Sequence, residues 1–168
     1  MDVEQRTERP RAADELATLA GFLEFQRDTL ALKCAGLTGE QLRRKAVPPS
    51  ELSLLGLVRH LAEVERGWFR NVIAGDGVRL RWGTGSPRVS GFGVEDADVE
   101  EAFAVWREEC ASSRAILASA ESLDVTGVHR TGRVFSLRYV LTHMIEEYAR
   151  HNGHADLLRE CIDGVTGE

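Results

Sequence analysis

Four segments of this chain carry apolar residues at alternating steps of three and four, and almost nothing in it alternates with the period of two that a half-buried strand needs. In the first segment Leu16, Leu19, Ala20, Leu23, Leu30 and Cys34 predict a helix from Arg11 to about Ala35, following Pro10 and ending at Gly36. Ser53 is a good N-cap for the second, where Leu54, Leu57, Val58, Leu61, Val64, Trp68 and Val72 mark one face as far as about Ala74. Asp98 and Glu101 form a capping-box-like start for the third, which continues through Phe103, Trp106, Cys110, Ile116 and Leu117 to about Ala120. Ser136 caps the fourth, and Leu137, Val140, Leu141, Met144, Tyr148, Ala155, Leu158 and Ile162 sustain it until Asp163-Gly164.

The links between these segments are equally readable. Thr38 to Arg43 suits a short helical turn, and Val47-Pro48-Pro49 forbids helical continuation, so the chain is expected to be extended there. Gly75-Asp76-Gly77 closes the second helix. From 78 to 93, Gly83, Gly85, Gly91, Gly93 and Pro87 predict a long irregular crossover that covers something, and a further loop precedes Ser136. The expectation is an all-α protein: one domain over residues 1–168, with an ordered core at about 11–163 and short flexible termini. Its architecture is a four-helix bundle with a long crossover loop between the second and third helices.

Composition removes several classes of function. With 21 Lys and Arg against 27 Asp and Glu the net charge is −6, and no basic stripe with interleaved aromatics exists, so nucleic acid is not an expected partner. The longest apolar runs fall far short of a membrane span, which excludes the bilayer. The opening residues are charged and lack an apolar h-region, so a cytoplasmic address is expected. Cys34, Cys110 and Cys161 are odd in number and show no CxxC spacing, which reads as buried thiols rather than disulfides or a zinc knuckle. No P-loop, GxSxG, HExxH or Cys-based nucleophile signature is present.

What remains are polar residues set into apolar stripes. His60 lies three residues after Leu57 and four before Val64, on the core side of the second helix. Glu147 and His151 stand four apart on the last helix, where side chains at that spacing share a face about 5–6 Å apart. Burying these groups without partners costs several kcal/mol, roughly 2–7 for a neutral polar group and more for a charge, and a divalent cation would compensate. Two imidazoles and one carboxylate leave coordination positions free for water or substrate. Zn2+ is the first choice for the ion, with Ni2+, Fe2+ or Mn2+ as alternatives on the same donor types. The competing reading is a plain His60–Glu147 ion pair in the core.

Other polar residues are weighed against the same helical geometry. His143 is one rung earlier on the ladder, and since each four-residue step turns about 40°, it points some 80° from His151. It therefore reads as lining the cavity or as the group that moves a proton, making His143 the candidate catalytic residue; His154 is expected to line the cavity or support a ligand in the same way. Glu146 and Arg150 read as a solvated pair, Asp156 and Arg159 as surface or inter-helix contacts, and His129, in a loop beside Arg130 and Arg133, as solvent-exposed, with substrate contact the alternative.

Two stretches carry a family likeness. Pro49-Ser-Glu-Leu-Ser-Leu-Leu-Gly-Leu-Val-Arg-His-Leu-Ala-Glu-Val-Glu-Arg-Gly-Trp-Phe69 and Leu141-Thr-His-Met-Ile-Glu-Glu-Tyr-Ala-Arg-His-Asn-Gly-His-Ala-Asp156 resemble the DinB-like superfamily. More narrowly they resemble its actinobacterial branch of mycothiol-dependent enzymes, including the maleylpyruvate isomerase family, and the likeness runs from about Leu16 to Glu160. The resemblance implies a four-helix bundle with a metal on one residue of the second helix and two of the last, which map to His60, Glu147 and His151. Glutamate at 147, where many relatives have histidine, matches the isomerase family. After the last ligand many relatives read His-Arg-Gly-Gln where this chain reads His151-Asn-Gly-His154, so polar contacts near the pocket are expected to differ. The resemblance also implies homodimers, a small-molecule substrate and mycothiol as cosubstrate.

The expected function is therefore a metal-dependent enzyme that transfers mycothiol or a similar low-molecular-weight thiol to a small electrophile, or isomerises that electrophile. The alternatives are a metal-dependent hydrolase of a small molecule and a non-catalytic, stress-associated bundle that binds a metal or ligand.

Overall fold

The computed structural model describes residues 6–83 and 92–166. Within them lie helices α1 (Glu15–Cys34), α2 (Gly39–Arg43), α3 (Leu54–Glu65), α4 (Val99–Ser119) and α5 (Leu137–Asp163), and strands β1 (Thr126–Val128) and β2 (Val134–Ser136). The protein is mostly helical, as the stripes predict, and no helix of the described residues is long and apolar enough to cross a membrane.

Caps fix the helix ends. The Asp14 side chain accepts from the Ala17 amide, so α1 begins after Asp14 rather than at Arg11. Thr38 and Gln41 form a reciprocal capping box that makes α2 a true short helix. Ser53 and Ser136 cap α3 and α5 as expected, and Gly164 ends α5 with φ of 78°, a left-handed position suited to glycine. Asp98 caps α4 alone: Glu101, expected to reach back to it, pairs with Arg81 instead.

Two departures from the sequence expectation shape the site. The second long helix does not stay α-helical to Ala74; after Glu65 it widens into π-helix over Arg66–Ile73, closed by the Ala74 amide donating to the Phe69 carbonyl, five residues back. The loop before Ser136 also contains an antiparallel hairpin, with Gly127 opposite Phe135. A Cβ built on Gly127 would lie 1.8 Å from the Val72 carbonyl oxygen, so only glycine lets β1 rest on the π-helical turn. Of the expected crossover, 84–91, including Gly85, Pro87 and Gly91, lies outside the described residues.

α3 is central, with Leu54, Leu55, Leu57, Val58 and Leu61 fully buried; it packs against α4 and α5, while α1 packs against α5. A buried polar network joins the four long helices. Arg27 of α1 donates from Nε and Nη2 to Glu65 of α3 at 2.8 and 2.7 Å. Ser113 of α4 and Tyr148 of α5 donate to the same carboxylate at 2.6 and 2.9 Å, and Trp106 donates to the Tyr148 hydroxyl at 2.8 Å. Satisfying both Glu65 oxygens in this way makes its burial tolerable and fixes the register of α3 against α5. Cys34 and Cys110 are buried as expected, whereas Cys161 lies on the exposed side of α5.

Candidate metal centre

α3 and α5 lie side by side and bring His60, Glu147 and His151 together. One nitrogen or oxygen from each falls within 4.8 Å of the others, and no other such group of three occurs among the described residues. His60 and His151 are buried, at 4% and 8% exposure, and Glu147 is partly buried. Glu147 Oε2 lies 3.5 Å from His151 Nε2 and 3.9 Å from His60 Nε2.

Two readings of the cluster, an ion pair and a metal site, meet at those distances. At 3.9 Å His60 and Glu147 stand at ion-pairing distance, beyond the roughly 2.7–3.2 Å of a hydrogen bond between such atoms. Two donors each about 2.0–2.2 Å from one cation are themselves roughly 3–3.6 Å apart, which is the separation of the His151–Glu147 pair and close to that of the other. His60 Nδ1 is buried without a partner, a state that costs about 1–3 kcal/mol. Two imidazoles and a carboxylate gathered within 4.8 Å are the donor types of a possible site for a divalent ion. The imidazole of His151, then that of His60, holds the Glu147 carboxyl well below the usual carboxylate range, against the opposing effect of burial.

His143 does not join the three. Its Nε2 lies 3.6 Å from the other Glu147 oxygen, Oε1, as the angular drift along the helix requires. Its ring meets Trp68 edge-on at 4.8 Å and lies parallel to Tyr139 at 6.0 Å. Phe135 and His129 complete this wall, each in ring contact with Trp68. His129, expected in solvent, is thus half-buried, and its contact with Trp68 depends on the hairpin that sequence reasoning missed. On the opposite side Phe92 stacks on His60 at 4.8 Å and covers that face of the imidazole. Arg59 donates to the Gly93 carbonyl and lies over the Trp82 ring, while Glu63 accepts from the Trp82 amide at 2.6 Å, tying Trp82 and Gly93 to α3.

The remaining expectations sort simply. Glu146 and Arg150 form the exposed helical pair at 2.6 Å. Asp156 pairs with Lys33 of α1 at 2.6 Å, and Arg159 donates to the carbonyls of Lys33 and Ala35, so both are inter-helix contacts. His154 Nδ1 sits 3.3 Å from His151 Nδ1, supporting a member of the cluster as anticipated; burial, then the charges of His151 and Arg150, pull its pKa down. Glu65 and Arg27 were missed as supports of the site. The signal was available, because Glu65 follows Leu61 by four residues on the buried stripe.

Comparison with known proteins adds the family. The model of a family described as mycothiol-S-transferase matches residues 18–164. A solved structure described as a conserved protein from Enterococcus faecalis is 14% identical, covers 92% of this chain and 100% of its own, and superposes with a TM-score of 0.65. At that identity the likeness concerns the fold alone. No curated protein matches the chain.

Proposed function

Since the chain belongs to the mycothiol-S-transferase family, a DinB-like family, we propose that it is a metal-dependent enzyme that uses mycothiol or a similar low-molecular-weight thiol, transferring it to, or isomerising, a small electrophile. The observation that carries this reading is the convergence of His60, Glu147 and His151 from two helices to within 4.8 Å, with Glu147 standing 3.5 and 3.9 Å from the two imidazoles rather than hydrogen-bonded to either. A divalent cation held there, Zn2+ in the first instance, would supply the Lewis acidity that gives a thiol its anionic, nucleophilic form at neutral pH.

The chain's own residues have separate parts in this scheme. His60 and His151 would bring nitrogen donors and Glu147 a carboxylate kept ionised by its neighbours. His143, whose Nε2 is 3.6 Å from Glu147 Oε1, would take up the proton that the thiol loses and return it to the product. Phe92 closes the side behind His60, which leaves the aromatic wall of Trp68, Phe135, Tyr139 and His143 as the approach for the electrophile.

We read the four long helices as a DinB-type bundle with a crossover at 78–93, forming one domain over 1–168, at work in the cytoplasm and paired as a homodimer. Turnover of a panel of small electrophiles, followed with and without mycothiol before and after chelation, tests the function. Thiol-dependent consumption lost on chelation and restored by Zn2+ is the expected result. Turnover by water alone would make the protein a hydrolase, and turnover indifferent to chelation would remove the metal from the scheme.

A further inference from the structure

The two ring nitrogens of His151 face different neighbours. Nε2 lies 3.5 Å from Glu147 Oε2, inside the three-donor cluster, and Nδ1 lies 3.3 Å from Nδ1 of His154, one turn further along α5. Two imidazole nitrogens can share a hydrogen only if one carries it and the other offers a lone pair. If His151 carries its hydrogen on Nδ1, the Nε2 lone pair is free and aimed at the space between Glu147 and His60. If the hydrogen sits on Nε2 instead, an N–H bond points into that space and no ion can be bound through it. His154 is itself outside the cluster, since the group of atoms within 4.8 Å comprises His60, Glu147 and His151.

We infer that His154 is a positioning residue that accepts the hydrogen bond of His151 Nδ1–H and thereby fixes the tautomer in which His151 Nε2 is available as a donor. The inference rests on the metal reading for its purpose, but the tautomer can be measured without any metal. Ligating histidines are oriented in this way by the partner of their second nitrogen, and losing that partner weakens metal affinity about 10–100-fold. Here the partner is supplied by the same helix three residues on, so the device needs no other element to be in place.

The test uses the full-length chain, stripped of metal by a chelator and labelled with 15N, at slightly alkaline pH. Long-range 1H–15N correlation of the native protein should show His151 protonated on Nδ1. Calorimetric titration with Zn2+ should show binding weakened about tenfold or more in His154→Ala and largely recovered in His154→Gln, whose amide oxygen can accept the same hydrogen bond. Circular dichroism of both variants guards against loss of the fold, and the tautomer of the native chain stands if His154→Ala does not fold. An Nε2-protonated His151 in the native protein, or Zn2+ binding in folded His154→Ala within about twofold of native, would overturn the inference. A native chain that is Nδ1-protonated yet takes up no Zn2+ would instead overturn the metal reading and leave the hydrogen bond assigned.

Discussion

Glu65 and Glu147 show how differently two carboxylates can be treated inside one mostly helical protein. Glu65 is fully buried and every lone pair that matters is used: Arg27 binds it through two nitrogens, and Ser113 and Tyr148 add hydroxyl donors. Glu147 is flanked by three imidazoles at 3.5, 3.6 and 3.9 Å, none of them at hydrogen-bonding distance. The first arrangement is finished and the second is open, which is why the second is the candidate site. Arg27→Met removes the charge that makes Glu65 tolerable, and urea denaturation should show a loss of about 3–5 kcal/mol. A change below about 1 kcal/mol would mean that the network is worth no more than an ordinary surface pair. The cysteines are also distinguishable at this scale. Burial pushes the Cys34 thiol up to about 12 and also raises that of Cys110, whereas Cys161 is exposed. A maleimide at neutral pH should therefore modify the folded chain once, at Cys161, with Cys34 and Cys110 reacting only after denaturation.

Between residues and molecule stand the elements that aim the side chains. The π-helical stretch after Glu65 places Phe69 in the core and leaves Trp68 beside α5, where it meets Tyr139 and His143. An apolar stripe does not reveal such a turn, because widening the backbone hydrogen bond from four to five residues changes no side chain. The hairpin was hidden for a related reason: its strands have three residues each, too few for alternation to register, and its seat depends on Gly127 meeting Val72 in space. Gly127→Val should lift β1 from the π-helical turn at a cost of about 1–3 kcal/mol. Hydrogen exchange should then accelerate over residues 126–136 and Trp68 fluorescence should shift, while α1 and α4 stay protected. Unchanged exchange in the hairpin would show that the close approach is not what holds it. By contrast the long helices and their caps were legible, since Asp98, Ser53, Ser136 and Gly164 mark boundaries by local chemistry alone.

Over the whole molecule, the division of labour follows from which helices touch. α3 packs on α5 and supplies His60 to the pair Glu147 and His151, while Arg27 of α1 and Ser113 of α4 meet Glu65 five residues beyond His60. The sequence made the three candidate donors readable because each interrupts an apolar face, and their family likeness named the same positions. It could not reveal that Glu147 stands off from its imidazoles, nor that His129 turns inward, because both depend on distances between elements remote in the chain. The metal content of the full chain and of His60→Ala, Glu147→Ala and His151→Ala variants, each reconstituted with Zn2+ and freed of excess, bears most directly on the central claim. One tightly held ion per native chain is expected, with little or none in each variant at unchanged helical content. Equal occupancy in native protein and in folded His60→Ala or His151→Ala would contradict it.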